Sequence, residues 1–174
     1  MFVRLSAAIA AVSLLGSPAM AQGAAKPTDP QIAHIAYTAG VIDIAAAKQA
    51  MTKASHKDVK AFAADMLRDH EAVNQQALAL VKKLKVTPED NDTSRQLTKA
   101  AADEREKLAK LKGLAFDKAY VENEVAYHKQ VNDALETLLI PSAKNAELKD
   151  LLETGLKVFQ GHEQHAEHVA ATLK

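Results

Sequence analysis

The chain has 174 residues, 48% of them hydrophobic, with 22 basic side chains against 22 acidic ones and no cysteine. A balanced charge leaves no strong field to gather nucleic acid or an anionic membrane, and the missing thiols exclude disulfides and thiolate metal sites. The length suits one domain with a real core and is short for two.

The first residues, MFVRLSAAIAAVSLLGSPAMAQ, carry one positive charge at Arg4, a short apolar run, and the small-residue pattern Ala19-Met20-Ala21. This is the pattern of a secretory signal cleaved after Ala21, so residues 1–21 are set apart from the fold. The run is shorter than the roughly 20 apolar residues a spanning helix needs, so no stable membrane insertion is expected after cleavage. A periplasmic or secreted location follows as an expectation. Residues 22–29 read as a linker, and the domain is expected over 30–174.

Thr28-Asp29-Pro30 predicts a helix start, a polar cap followed by proline in the first turn. The first helix keeps Ile32, Ile35 or Ala36, Ala39, Ile42 or Asp43, Ala46 and Ala50 on one face and ends near Lys53. Ser55 with Asp58 three residues on resembles a capping box opening a second helix. Its stripe of Val59, Phe62, Met66, His70, Val73, Ala77, Leu80 and Leu84 is the most regular in the chain. Val86 to Thr93, with Pro88 and Asn91, reads as a loop.

Ser94 to Leu111 predicts a highly charged helix with little to bury, lying over the outside, with Gly113 breaking it. A third main helix is expected from Leu114 to Ile140, with Val121, Glu124 or Val125, His128, Val131, Leu135 and Leu138 inward and Pro141 as its stop. A fourth runs from Asn145 with Leu148, Gly155, His162, Ala166, Val169 and Leu173 inward. No strand pattern competes. Short turns join helices one and two and helices three and four, while the middle connection is long. The expected fold is all-α: a ferritin-like antiparallel four-helix bundle with one long crossover containing an extra outer helix.

The apolar stripes carry unexpected polar residues. Counted from the turn near Ala54, Asp43, Met66 and His70 lie at similar depth, and Glu124, His128 and His162 do so counted from the turn near Ser142. His70, His128 and His162, completed by Asp43, Glu124 or Met66, can supply the ligands of one divalent ion, zinc, copper or iron. The competing reading is a hydrogen-bonded polar layer that only fixes helix register in a non-catalytic module of the cell envelope. The chain contains no Glu-x-x-His, which disfavours a carboxylate-bridged di-iron oxidase. His165 is expected to flank the centre, His168 to be solvated, and His34 and His56 to lie at the surface.

No phosphate loop, recognisable Ser-His-Asp arrangement or basic aromatic stripe is present, so an enzyme is the weaker expectation. A redox enzyme using the bound ion is a third possibility, though the sequence supplies neither oxidant nor substrate pocket. Protein partners are not legible.

Val59-Lys60-Ala61-Phe62-Ala63, then Met66-x-x-Asp69-His70 and Asn74, then Phe116-Asp117-x-x-Tyr120 with His128, and finally His162-x-x-x-Ala166 form a recurring set. With these features the chain resembles the bacterial domain of unknown function 4142, a secreted ferritin-like family. The resemblance implies a four-helix ferritin-like fold and export, and little chemistry. It departs from the family at Glu124, where methionine is common, and at Asp43, where glutamate is.

Overall fold

The computed structural model describes residues 26–173, so the signal segment and the first part of the linker lie outside the described residues. Six α-helices follow: α1 (Asp29–Lys53), α2 (Lys57–Leu84), α3 (Asp92–Lys110), α4 (Gly113–Ala134), α5 (Ile140–Ser142) and α6 (Ala146–Thr172). A π-helical turn, Leu135–Leu139, joins α4 to α5. Among the described residues there is no strand, and no helix is long and apolar enough to cross a membrane.

The helices α1, α2, α4 and α6 bound the core. α1 packs along α2 and α4 along α6, and contacts of α2 with α6 and of α1 with α4 close the ring. α3 lies outside, parallel to α1. Near its start Asn91 donates to the Gln31 carbonyl at 3.4 Å, and near its end Gln49 and Lys53 donate to the carbonyls of Arg105 and Ala109 at 2.9 and 2.8 Å. Its charged sequence fits that position, since it buries only Ser94 and Leu108.

Two apolar clusters fill the interior. One, at the α1–α2 turn, gathers Phe62, Met66, Tyr120, Val121 and Val169; the other, at the opposite end, gathers Ile32, Leu135, Leu139, Leu152 and Phe159. Each fully buried large side chain contributes about 1.5–3 kcal/mol relative to exposure. The buried Asp43, His70, Glu124, His128 and His162 come from all four core helices.

Between α1 and α2, Gly40 faces Asn74, and a Cβ there would stand 2.8 Å from Asn74 Cγ. The missing side chain lets Asn74 reach the Tyr37 carbonyl at 3.5 Å. Both turns are held by aspartates from elsewhere. Asp117 accepts from the backbone N–H groups of Ser55 at 3.0 Å and His56 at 2.9 Å, and from the Ser55 hydroxyl. Asp29 accepts from those of Lys144 and Asn145 at 2.8 and 2.9 Å.

Several local expectations need correction. Ser55 does not cap α2, because its hydroxyl is taken by Asp117; His56 is the cap, accepting from Asp58 N–H at 3.3 Å. α3 begins at Asp92, two residues earlier than expected, because Asn91 accepts from Ser94 N–H at 3.0 Å. Gly113, at φ 55°, is the first residue of α4. Pro141 does not stop the helix at once. Its missing N–H and its ring disturb the ladder, and the widened π turn carries the helix on to Ser142. The extra residue rotates the stripe, so Leu139 is buried and Leu138 is 41% exposed.

Candidate metal centre

The centre is built on the period of the helices. His70 follows Met66 by one turn on the inward face of α2, and His128 follows Glu124 by one turn on α4. His162 lies between Phe159 and Ala166 on the buried face of α6, and Asp43 between Ala39 and Ala46 on that of α1. The ring centroids of the three histidines lie 5.7, 5.1 and 5.5 Å apart, and one nitrogen from each lies within 4.8 Å of the others. One atom each from Asp43, Glu124 and His128 forms a second group within the same limit. Five of the six sequence-predicted residues thus fall into two groups that share His128. Met66 is fully buried one turn from His70, within the apolar cluster of Phe62 and Tyr120.

Hydrogen bonding assigns the protons on two of the rings. His128 Nδ1 lies 2.9 Å from the Glu124 carbonyl, which can only accept, so Nδ1 carries the hydrogen and Nε2 presents a lone pair. His162 Nε2 lies 3.1 Å from Asp69 Oδ2, so that nitrogen donates and Nδ1 is left bare. Arg68, beside Asp69, holds its carboxyl below the usual range and so keeps the acceptor anionic. His128 Nε2, His162 Nδ1 and both nitrogens of His70 are buried without a hydrogen-bond partner. His70 Nε2 is 3.5 Å from Asp43 Oδ2, beyond a well-formed bond.

Burial lowers all three imidazoles, His128 to about 4 and His70 further, with the neighbouring histidines adding to the fall. They are neutral at pH 7, the form that binds metals. The carboxyls move the other way. Burial pushes Glu124 up to about 7, and burial together with the Glu124 charge raises Asp43. Burial thus favours the protonated form of both carboxyls, and a cation bound there would displace those protons. Glu124 Oε2 also lacks a partner.

A cleft of about 560 Å³ between α1, α3 and α4 reaches Asp43 and Glu124, with Tyr127 on its wall. The Tyr127 hydroxyl donates to the Ala39 carbonyl at 3.1 Å. His165 packs edge-on against Phe62, with centroids 5.2 Å apart, and His168 is exposed. His34 is half-buried, deeper than the surface position expected for it, and His56 lies at the surface with its side chain 36% exposed.

Asp69 was missed as part of the site by sequence reasoning. It sits beside His70 but off the apolar stripe, and only the contact of α2 with α6 shows that it orients His162. A carboxylate holding the far nitrogen of an imidazole is the usual support of a metal ligand.

The chain is thus an all-helical bundle whose interior holds a histidine and carboxylate cluster with ligand atoms able to hold a metal ion. It belongs to the family described as Domain of unknown function (DUF4142), whose model matches residues 15–169. No curated protein and no solved structure matches it.

Proposed function

We propose that this is an exported, ferritin-like bundle that holds one divalent metal ion at the centre formed by His70, His128 and His162, for sequestration or stress protection. Asp43 or Glu124 completes the ligand set, with Met66 a turn away. The observation that carries the reading is the pattern of bare nitrogens. Two rings have their outer nitrogens fixed by acceptors, and the inner nitrogens have no protein partner. A polar layer serving only register would satisfy those atoms within the protein, since a buried polar group without a partner is costly.

Three neutral imidazoles with a carboxylate suit zinc, copper or iron. The ferritin-like reading draws on the ring of helices α1, α2, α4 and α6 joined by one long connection. Export to the periplasm or medium draws on the signal pattern of residues 1–21.

Metal analysis of untagged protein is the test. Near-stoichiometric metal in the natural chain, lost in His70→Ala/His128→Ala, is expected. Metal-free protein whose melting temperature ignores zinc, copper and iron would overturn the reading.

A further inference from the structure

The end of the bundle opposite the α1–α2 turn contains a cavity of about 130 Å³. It exists because small residues face one another there: Ala36, Ala77 and Gly155 leave a space that Leu135, Leu148 and Leu152 do not close. Polar groups on its wall are few. Asn74 is engaged with the Tyr37 carbonyl, and Thr93 and Gln130 are exposed. Water needs two to four polar partners to stay in such a space, so the wall favours an apolar occupant. An apolar cavity of similar size, lined by leucine, isoleucine and phenylalanine, takes up benzene or xenon.

The wall is also irregular in a telling place. The π turn supplies Leu135, Leu138 and Leu139, and its extra residue leaves Leu138 41% exposed while the other two face inward. Thr93, in the first turn of α3, and Gln130 of α4 line the cavity, are exposed, and also line the cleft that reaches Asp43 and Glu124, which marks a mouth between α3 and α4. Single π turns within α-helices occur frequently at functional sites.

We propose that this cavity is a binding site for a small apolar group, an alkyl or aryl moiety, admitted between the start of α3 and α4. The proposal does not rest on the metal reading, although Phe159 lines the cavity and stacks on His70 with centroids 4.8 Å apart. The group could belong to a free apolar solute or to the tail of an amphiphile whose polar head stays at the mouth beside Thr93 and Gln130.

The experiment is a methyl NMR titration of the protein with benzene and, separately, with octanoate. Saturable shifts at the methyls of Ala77 and Leu135 are expected. Benzene binding alone would identify a free solute, and tighter octanoate binding an amphiphile. Ala77→Leu fills the space and is expected to weaken binding by about tenfold or more. Should that variant not fold, Ala36→Val gives the same readout with a smaller step. Absence of saturable shifts with both probes would overturn the proposal, as would shifts that a folded filling variant leaves unchanged.

Discussion

Replacing His70 by leucine tests the centre through stability, with opposite signs in the presence and absence of metal. In chelator-treated protein both nitrogens of His70 are buried without a partner. Removing a buried unsatisfied polar group relieves about 1–3 kcal/mol. The substitution forfeits the stack on Phe159, where the rings lie 4.8 Å apart and within 8° of parallel. That contact contributes about 0.5–1.5 kcal/mol. Leucine retains apolar contact with the same neighbours. His70→Leu should therefore raise the stability of the chelated protein by about 1 kcal/mol, or about 2–4 °C in Tm for a chain of this size. Metal reverses the order. The natural protein gains about 2.7 kcal/mol at a metal concentration 100-fold above Kd, whereas the variant, short of a ligand, gains little. Urea denaturation with chelator and with zinc, copper or iron measures both arms. A variant less stable than the natural protein in both conditions would refute the argument, because His70 would then be a satisfied core residue.

Acid should weaken the chelated protein between pH 6.5 and about 4. The unfolded chain takes up protons below 6.5, which folded His128 refuses down to about 4, so this contribution is present at neutral pH and lost as pH falls. Glu124, raised from 4.5 to about 7, opposes it: its contribution is present below 4.5 and lost as pH rises towards 7. Glu124→Gln removes the opposing group, so its denaturation free energy should fall more steeply between pH 6.5 and 4.5, by at most about 1.4 kcal/mol per pH unit. An equal or shallower slope would contradict this. Asp69→Asn should lower metal affinity by about 10–100-fold by releasing the His162 ring, measured by competition with a chelating dye; unchanged affinity would remove Asp69 from the site. Gly40→Ala should cost about 1–3 kcal/mol through its collision with Asn74. Adding Asn74→Ala should restore part of that loss in a double-mutant cycle, and strict additivity would show that the two do not meet.

The helices and the depth of the centre were legible because local period sets both. The spacing from Phe62 through Met66 to His70 fixes one face of α2, and short turns place residues of paired helices at comparable heights. Features that depend on distant neighbours were not legible. Ser55 has the right neighbours for a cap, but its hydroxyl answers to Asp117, a residue on another helix. Asp69 lies off the apolar stripe of α2, and its partner His162 lies across the contact of α2 with α6, an adjacency no local period encodes. Leu138 and Leu139 exchanged places because the helix widened ahead of Pro141 instead of ending there. The cavity arises from the absence of side chains facing one another across the bundle, and single-helix stripes do not show what is missing opposite.

The two aspartates at the turns are exchanged between halves of the chain. Asp29, at the start of the first hairpin, fastens the backbone at Lys144 and Asn145, and Asp117, in the second, fastens Ser55 and His56. Neither half carries the clasp for its own bend. Severing the connection before α3 would therefore yield two fragments with loose bends, each finished only when it meets the other. Folding is in this sense a joint act, and the arrangement favours one concerted transition over the separate maturation of two hairpins.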